Sequence, residues 1–172
     1  MRRNRQMRRL ADVLIDPIRV PVPADPEELF EALVASVAAW RGREIVVRRE
    51  TFPPHTASGL WLEAAGQDVV VVDRRAAVWH QIVILCHEVW HMSRRDEEAP
   101  PGPGGAPRPV AARTDFSLAE EQEADRFGML MGRRLRTWLQ TPEETGYAVG
   151  DDDGDGLAGR IGAALGYRGQ RG

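Results

Sequence analysis

The hydrophobic positions change period several times along the chain, and each change marks an element. Leu29, Phe30, Leu33, Val34 and Val37 recur at the i, i+3, i+4 spacing of one helical face. Asp25-Pro26-Glu27-Glu28 supplies an N-cap, a proline at the first helical position and a Glu at the third, while Gly42 ends the run, so a helix is predicted over about 26–41. The pattern then turns strand-like in EIVVR (44–48), GLWLE (59–63) and DVVVVD (68–73), with AAGQ joining the last two as a hairpin. From about 75 to 93 apolar residues occupy every side, as in a helix buried all round. Residues 96–113 contain five prolines and three glycines and are expected to be a flexible loop. Ser117-Leu118-Ala119-Glu120 is a capping box opening a helix to about Gln140, and Thr141-Pro142-Glu143-Glu144 repeats the logic for a short last helix.

These elements give an α+β domain: a small three-stranded sheet packed on a buried helix, with further helices around it. Residues 1–25 are read as a basic, extended segment. The main domain is assigned to 26–148 and a Gly/Asp-rich tail, with room for a short helix, to 149–172. A chain of 172 residues is long enough to bury a core of its own.

Composition narrows the function classes. The net charge is −3, and the bulk balance argues against a strong nucleic-acid partner, although five arginines crowd the first nine residues and direct nucleic-acid binding through residues 2–9 is kept as a further reading beside a solvated tail. A single cysteine, Cys86, excludes an internal disulfide framework and reads as a small buried hydrophobe. No secretory signal or spanning segment is visible, so a cytoplasmic protein without a membrane partner is expected. DDDGDG has the opening of a calcium loop, but Gly162 stands where the twelfth-position glutamate belongs, and calcium is not expected there.

The buried helix carries the chemistry. Within it stands His87-Glu88-Val89-Trp90-His91, three ionisable residues in an otherwise apolar run, each costly to bury without a partner. Residues i and i+4 share a helical face about 6 Å apart, so His87 and His91 can direct their imidazoles at one metal ion. Glu88, about 100° round the helix, is placed to act as general base on a water activated by zinc. A third ligand is sought in LAEEQEADRFGMLMG. Helical phase puts Ala124, Phe127, Met131 and Leu135 on the core face, Glu121 at its edge, and Glu123 toward Leu130 and Arg134, where it is expected to be solvated. Glu121 heads a stripe with Asp125, Gly128 and Gly132, whose glycines permit close approach of another helix. Glu121 is therefore the predicted third ligand and Asp125 its supporting partner, while an acidic first turn accounts for Glu120.

HEVWH, followed about thirty residues later by EQEADRFG, resembles the ImmA/IrrE family of zinc metallopeptidases, whose members carry HExxH and then E-x-E-A-(N/D)-x-F-A. The resemblance covers about residues 27–140 and includes the small sheet leading into the HExxH helix, so it implies a zincin-like fold. It also implies Zn2+ held by His87, His91 and Glu121, with Glu88 as catalytic base. Members of the family cut a helix-turn-helix repressor encoded beside them, and relatives are described as toxin-antitoxin components; a helix-turn-helix repressor is thus the expected partner and substrate. Trp90 stands where the family has glycine, Gly128 where it has alanine, and MLMGRR replaces its Leu-Leu-Met-Pro. Trp90 motivates a second reading from another class, a catalytically impaired pseudo-protease that binds a regulator with its cleft blocked.

Three further residues are candidates for the substrate cleft. His80 lies two turns before His87 on nearly the same face, His55 sits in a loop beside the expected edge strand GLWLE, and Trp90 adjoins the ligand positions. No oxyanion stabiliser is indicated among Tyr147, His55 and His80.

Overall fold

The computed structural model describes residues 2–54, 56, 58–98, 111–112 and 116–139, all within the unit Met1–Gln140. In chain order they form α1 (Arg2–Ile15), α2 (Pro26–Arg41), β1 (Glu44–Glu50), β2 (Gly59–Glu63), β3 (Gln67–Asp73), α3 (Val78–Glu98), β4 (Ala111–Ala112) and α4 (Leu118–Leu139). The architecture is α+β, and no described helix is long and apolar enough to cross a membrane. The expected last helix from Thr141, Tyr147, the 149–172 tail and the DDDGDG stretch lie outside the described residues.

The N-terminal expectation is corrected. Residues 2–15 are helical, because Met7, Ala11, Leu14 and Ile15 fall on one face and are buried against the rest of the core. The five arginines stay exposed around the rest of the helix, and Pro17 follows the helix end rather than breaking an apolar run. α1 packs on α2 and α4, so it belongs to the domain that the sequence reading began at residue 26. Ser36 Oγ donates to the Leu14 carbonyl at 2.7 Å and ties the two helices together.

α2 forms as its caps dictate. The Asp25 carboxylate accepts from the backbone N–H groups of Glu27 and Glu28 at 2.9 and 3.3 Å, and Gly42 closes the helix at φ 68°. The sheet has the order β1-β3-β2-β4. β2 and β3 are the expected antiparallel hairpin, whereas β1 runs parallel to β3, so the chain crosses over to place β2 on the far side. The expected three strands are present, and a two-residue fourth extends them: Ala111 and Ala112 pair antiparallel with Glu63 and Leu62. The segment expected as a loop over 96–113 therefore begins as the end of α3 and ends as β4.

Alternation along β3 sends Asp68, Val70 and Val72 to one face, joined by Ile45 and Trp61, and α2 and α3 cover that face. Asp68 is fully buried and compensated: Arg41 Nε donates to it at 2.7 Å and Trp61 Nε1 at 3.2 Å. Glu63, also buried, pairs with Arg95 at 2.8 Å and fixes β2 against the C-terminal half of α3. α3 is thus held between the sheet and α4, with Ile82, Leu85, Cys86, Val89 and Met92 fully buried.

Candidate functional site

α3 and α4 meet along the small-residue stripe read from the sequence. A Cβ on Gly128 would lie 3.0 Å from the Val83 carbonyl oxygen and 3.3 Å from Val83 Cγ1, and one on Gly132 would lie 3.0 Å from Val83 Cγ2. The glycines set the helix spacing, and that spacing brings the first turn of α4 over the imidazoles of α3. Ser117 and Glu120 form the expected capping box, with the Ser117 N–H donating to Glu120 Oε2 at 2.7 Å and the Glu120 N–H to Ser117 Oγ at 3.3 Å. Glu121 projects beside it toward α3.

Donor atoms of three residues converge. His87 Nε2 lies 3.2 Å from His91 Nε2 and 3.2 Å from Glu121 Oε2, and His91 Nε2 lies 3.4 Å from Glu121 Oε1. Tetrahedral ligation at about 2.0–2.1 Å separates two donors by about 3.3 Å, so the two imidazole nitrogens are spaced as two corners of such a site, and Glu121 brings one carboxylate oxygen to a similar distance from each. His87, His91 and Glu121 can hold a metal ion. These three residues line a cleft of about 690 Å³ together with Gly59, Leu60, His80, Glu88, Phe116 and Met129 among others.

The surroundings prepare the ligands. Asp125 Oδ1 lies 3.0 Å from His87 Nδ1, and because a carboxylate only accepts, Nδ1 carries the proton and Nε2 presents its lone pair to the other donors. His91 is 2% exposed. Burial, reinforced by the neighbouring His87, pulls its pKa down to about 4 and keeps the imidazole neutral, the form that binds metal. Phe116 stacks on its ring at 3.6 Å with planes 16° apart.

Glu88 is 6% exposed, yet it lines the cleft. Its carboxyl rests against β2, where a Cβ on Gly59 would come within 2.8 Å of Oε1. Burial, and then the charge of Glu121, push its pKa up to about 8; a dication between His87, His91 and Glu121 would oppose both effects.

The other sequence-derived candidates divide. Glu121 and Asp125 sit as helical phase placed them. Glu123 is not simply solvated but bonds to Arg3 of α1 at 2.9 Å. His80 lines the cleft. Trp90 does not, which corrects its assignment there: it is 2% exposed and packs on Phe127 with ring centroids 5.3 Å apart. His55 lies outside the described residues. Sequence reasoning missed Gly59 and Phe116. A glycine opening an otherwise bulky strand marks close backbone approach, and an aromatic residue just before an N-cap marks a side chain folded back over the helix start; both signals were present.

No protein-family model, curated protein or solved structure matches the chain.

Proposed function

We propose that the protein is a zinc-dependent endopeptidase of zincin-like fold, related to the ImmA/IrrE metallopeptidases, that cleaves a helix-turn-helix transcriptional repressor. The observation that carries the reading is the placement of Glu88, a carboxylate with no role in the three-donor cluster, in the same cleft and on the same helix as two of its donors. Zinc held by His87, His91 and Glu121 would supply a Lewis acid that acidifies water and polarises a carbonyl. Glu88 then accepts the proton of the attacking water and returns it to the leaving amine. Asp125 holds His87 in the binding tautomer. The glycine at position 59 lets the β2 backbone approach Glu88 closely, so the strand walls the cleft beside the base. The repressor as substrate is carried by the motif resemblance.

A regulator-binding pseudo-protease was motivated by Trp90 filling the cleft, and Trp90 turns instead into the α3–α4 interface. Purified protein is incubated with the helix-turn-helix regulator encoded beside it, and products are read by intact mass. Two fragments summing to the regulator plus one water, absent with Glu88→Gln, support the reading. Stable binding with no cleavage would replace it with the pseudo-protease.

A further inference from the structure

The net charge of the chain conceals a segregation created by the fold. α1 lies alongside α4 and runs in the same direction, since Arg3 bonds to Glu123 at 2.9 Å and Arg134 to Asp12 at 2.7 Å, pairs separated by 120 and 122 residues. Arg2, Arg5, Arg8 and Arg9 are exposed on α1, and Arg126 and Arg133 on the adjoining solvent face of α4. None of the six has an acidic partner among the described residues, and α1 carries no acidic residue before Asp12. Of the exposed carboxylates, Glu28, Glu31, Glu44 and Glu50 belong to α2 and β1, Asp16 follows the end of α1, and Asp125 of α4 is engaged by His87. The two acidic groups at the α1–α4 seam, Asp12 and Glu123, are already neutralised by Arg134 and Arg3.

We infer that the paired solvent faces of α1 and α4 form a binding surface for the phosphate backbone of double-stranded nucleic acid, read without regard to sequence. Guanidinium groups bind phosphate oxygens in a planar, two-pronged geometry, and six of them along two side-by-side helices present a line of positive charge. The surface exposes Val13 and Met129 but carries no aromatic anchor. Protein interfaces are anchored by aromatic and large apolar side chains. α1 has no aromatic residue, and Phe127 and Trp138 of α4 turn into or pack against the core. The same lack removes the stacking platform that single strands require. This surface is separate from the cleft and stands whether or not the protein is a peptidase.

The test is fluorescence anisotropy with a labelled 20-base-pair duplex of arbitrary sequence at 50–200 mM NaCl. It uses the full chain, wild type and Arg2→Gln/Arg5→Gln/Arg8→Gln/Arg9→Gln, with circular dichroism to show that both are folded. Six phosphate contacts predict that wild-type affinity falls about 10³-fold over that salt range. Loss of four should flatten the logarithmic salt slope by about 3.6, leaving roughly a tenfold fall. No duplex binding at 50 mM, or an unchanged slope in the folded variant, would overturn the proposal. Tighter binding to poly-glutamate than to the duplex would reassign the surface to an acidic protein.

Discussion

Gly59→Ala tests how the sheet and the HExxH helix cooperate. The added methyl would sit 2.4 Å from Ile84 Cγ2 and 2.8 Å from Glu88 Oε1, about 1 Å and 0.6 Å short of ordinary van der Waals contact near 3.4 Å. Ile84 cannot step aside cheaply, because a β-branched side chain on a helix has one strongly preferred rotamer. The strand or the Glu88 carboxylate must move instead. Overpacking of this kind costs about 1–3 kcal/mol, which for a chain of this size lowers Tm by roughly 2–4 °C per kcal/mol. Displacing a general base by up to 1 Å costs as much as about 10²-fold in turnover. The zinc content of the variant should equal that of wild type, since neither His87, His91 nor Glu121 touches Gly59. Gly128→Ala makes the converse case: its methyl meets the Val83 carbonyl oxygen at 3.0 Å, forces α4 from α3 and should weaken metal binding. Differential scanning fluorimetry, metal analysis and the regulator-cleavage assay separate the two. A Gly59→Ala protein with wild-type Tm and turnover would refute the reasoning, as would loss of zinc from it while Gly128→Ala kept its own.

Other expectations follow from single contacts. Asp125→Ala removes the carboxylate 3.0 Å from His87 Nδ1 and should weaken zinc binding about 10–100-fold in a chelator competition, without the loss of fold that a core substitution brings. Leu14→Ala, at a fully buried position of α1, should cost about 2–5 kcal/mol in urea unfolding; a wild-type midpoint would mean that α1 is not part of the core. Hydrogen bonds from Arg75 hold the Asp73 carboxyl down to about pKa 2, below its ordinary 3.8. A depressed carboxyl stabilises the fold above its unfolded pKa, and the contribution is lost as pH falls from about 3.8 toward 2. Arg75→Gln should return the Asp73 titration, followed by NMR, toward 3.8.

Much of this site could be read from residues because its geometry is local. An i, i+4 pair on one helix needs no tertiary information to converge, and the phase of a second helix distinguished Glu121 and Asp125 from Glu123 as soon as Ala124, Phe127 and Met131 were taken as its core side. The caps at Asp25, Gly42 and Ser117 are likewise local hydrogen-bond chemistry. What escaped was either masked or long-range. The stripe of Met7, Ala11, Leu14 and Ile15 was already helical in spacing, but five arginines around it suggested a solvated segment. The parallel pairing of β1 with β3 follows a crossover that strand sequences do not encode, and a two-residue β4 at the end of a proline-rich stretch has no pattern to detect. Trp90 was judged by its size next to the ligands, although one position before His91 is also the position that turns toward Phe127.

The central claim, that His87, His91 and Glu121 together hold zinc, is tested most directly by metal analysis of purified wild-type, His87→Ala and Glu121→Ala proteins after exhaustive dialysis. One zinc per chain in wild type, none in His87→Ala and a reduced amount in Glu121→Ala is the predicted result. A wild-type protein without zinc after incubation with the metal, or one whose zinc survives both substitutions, would contradict it.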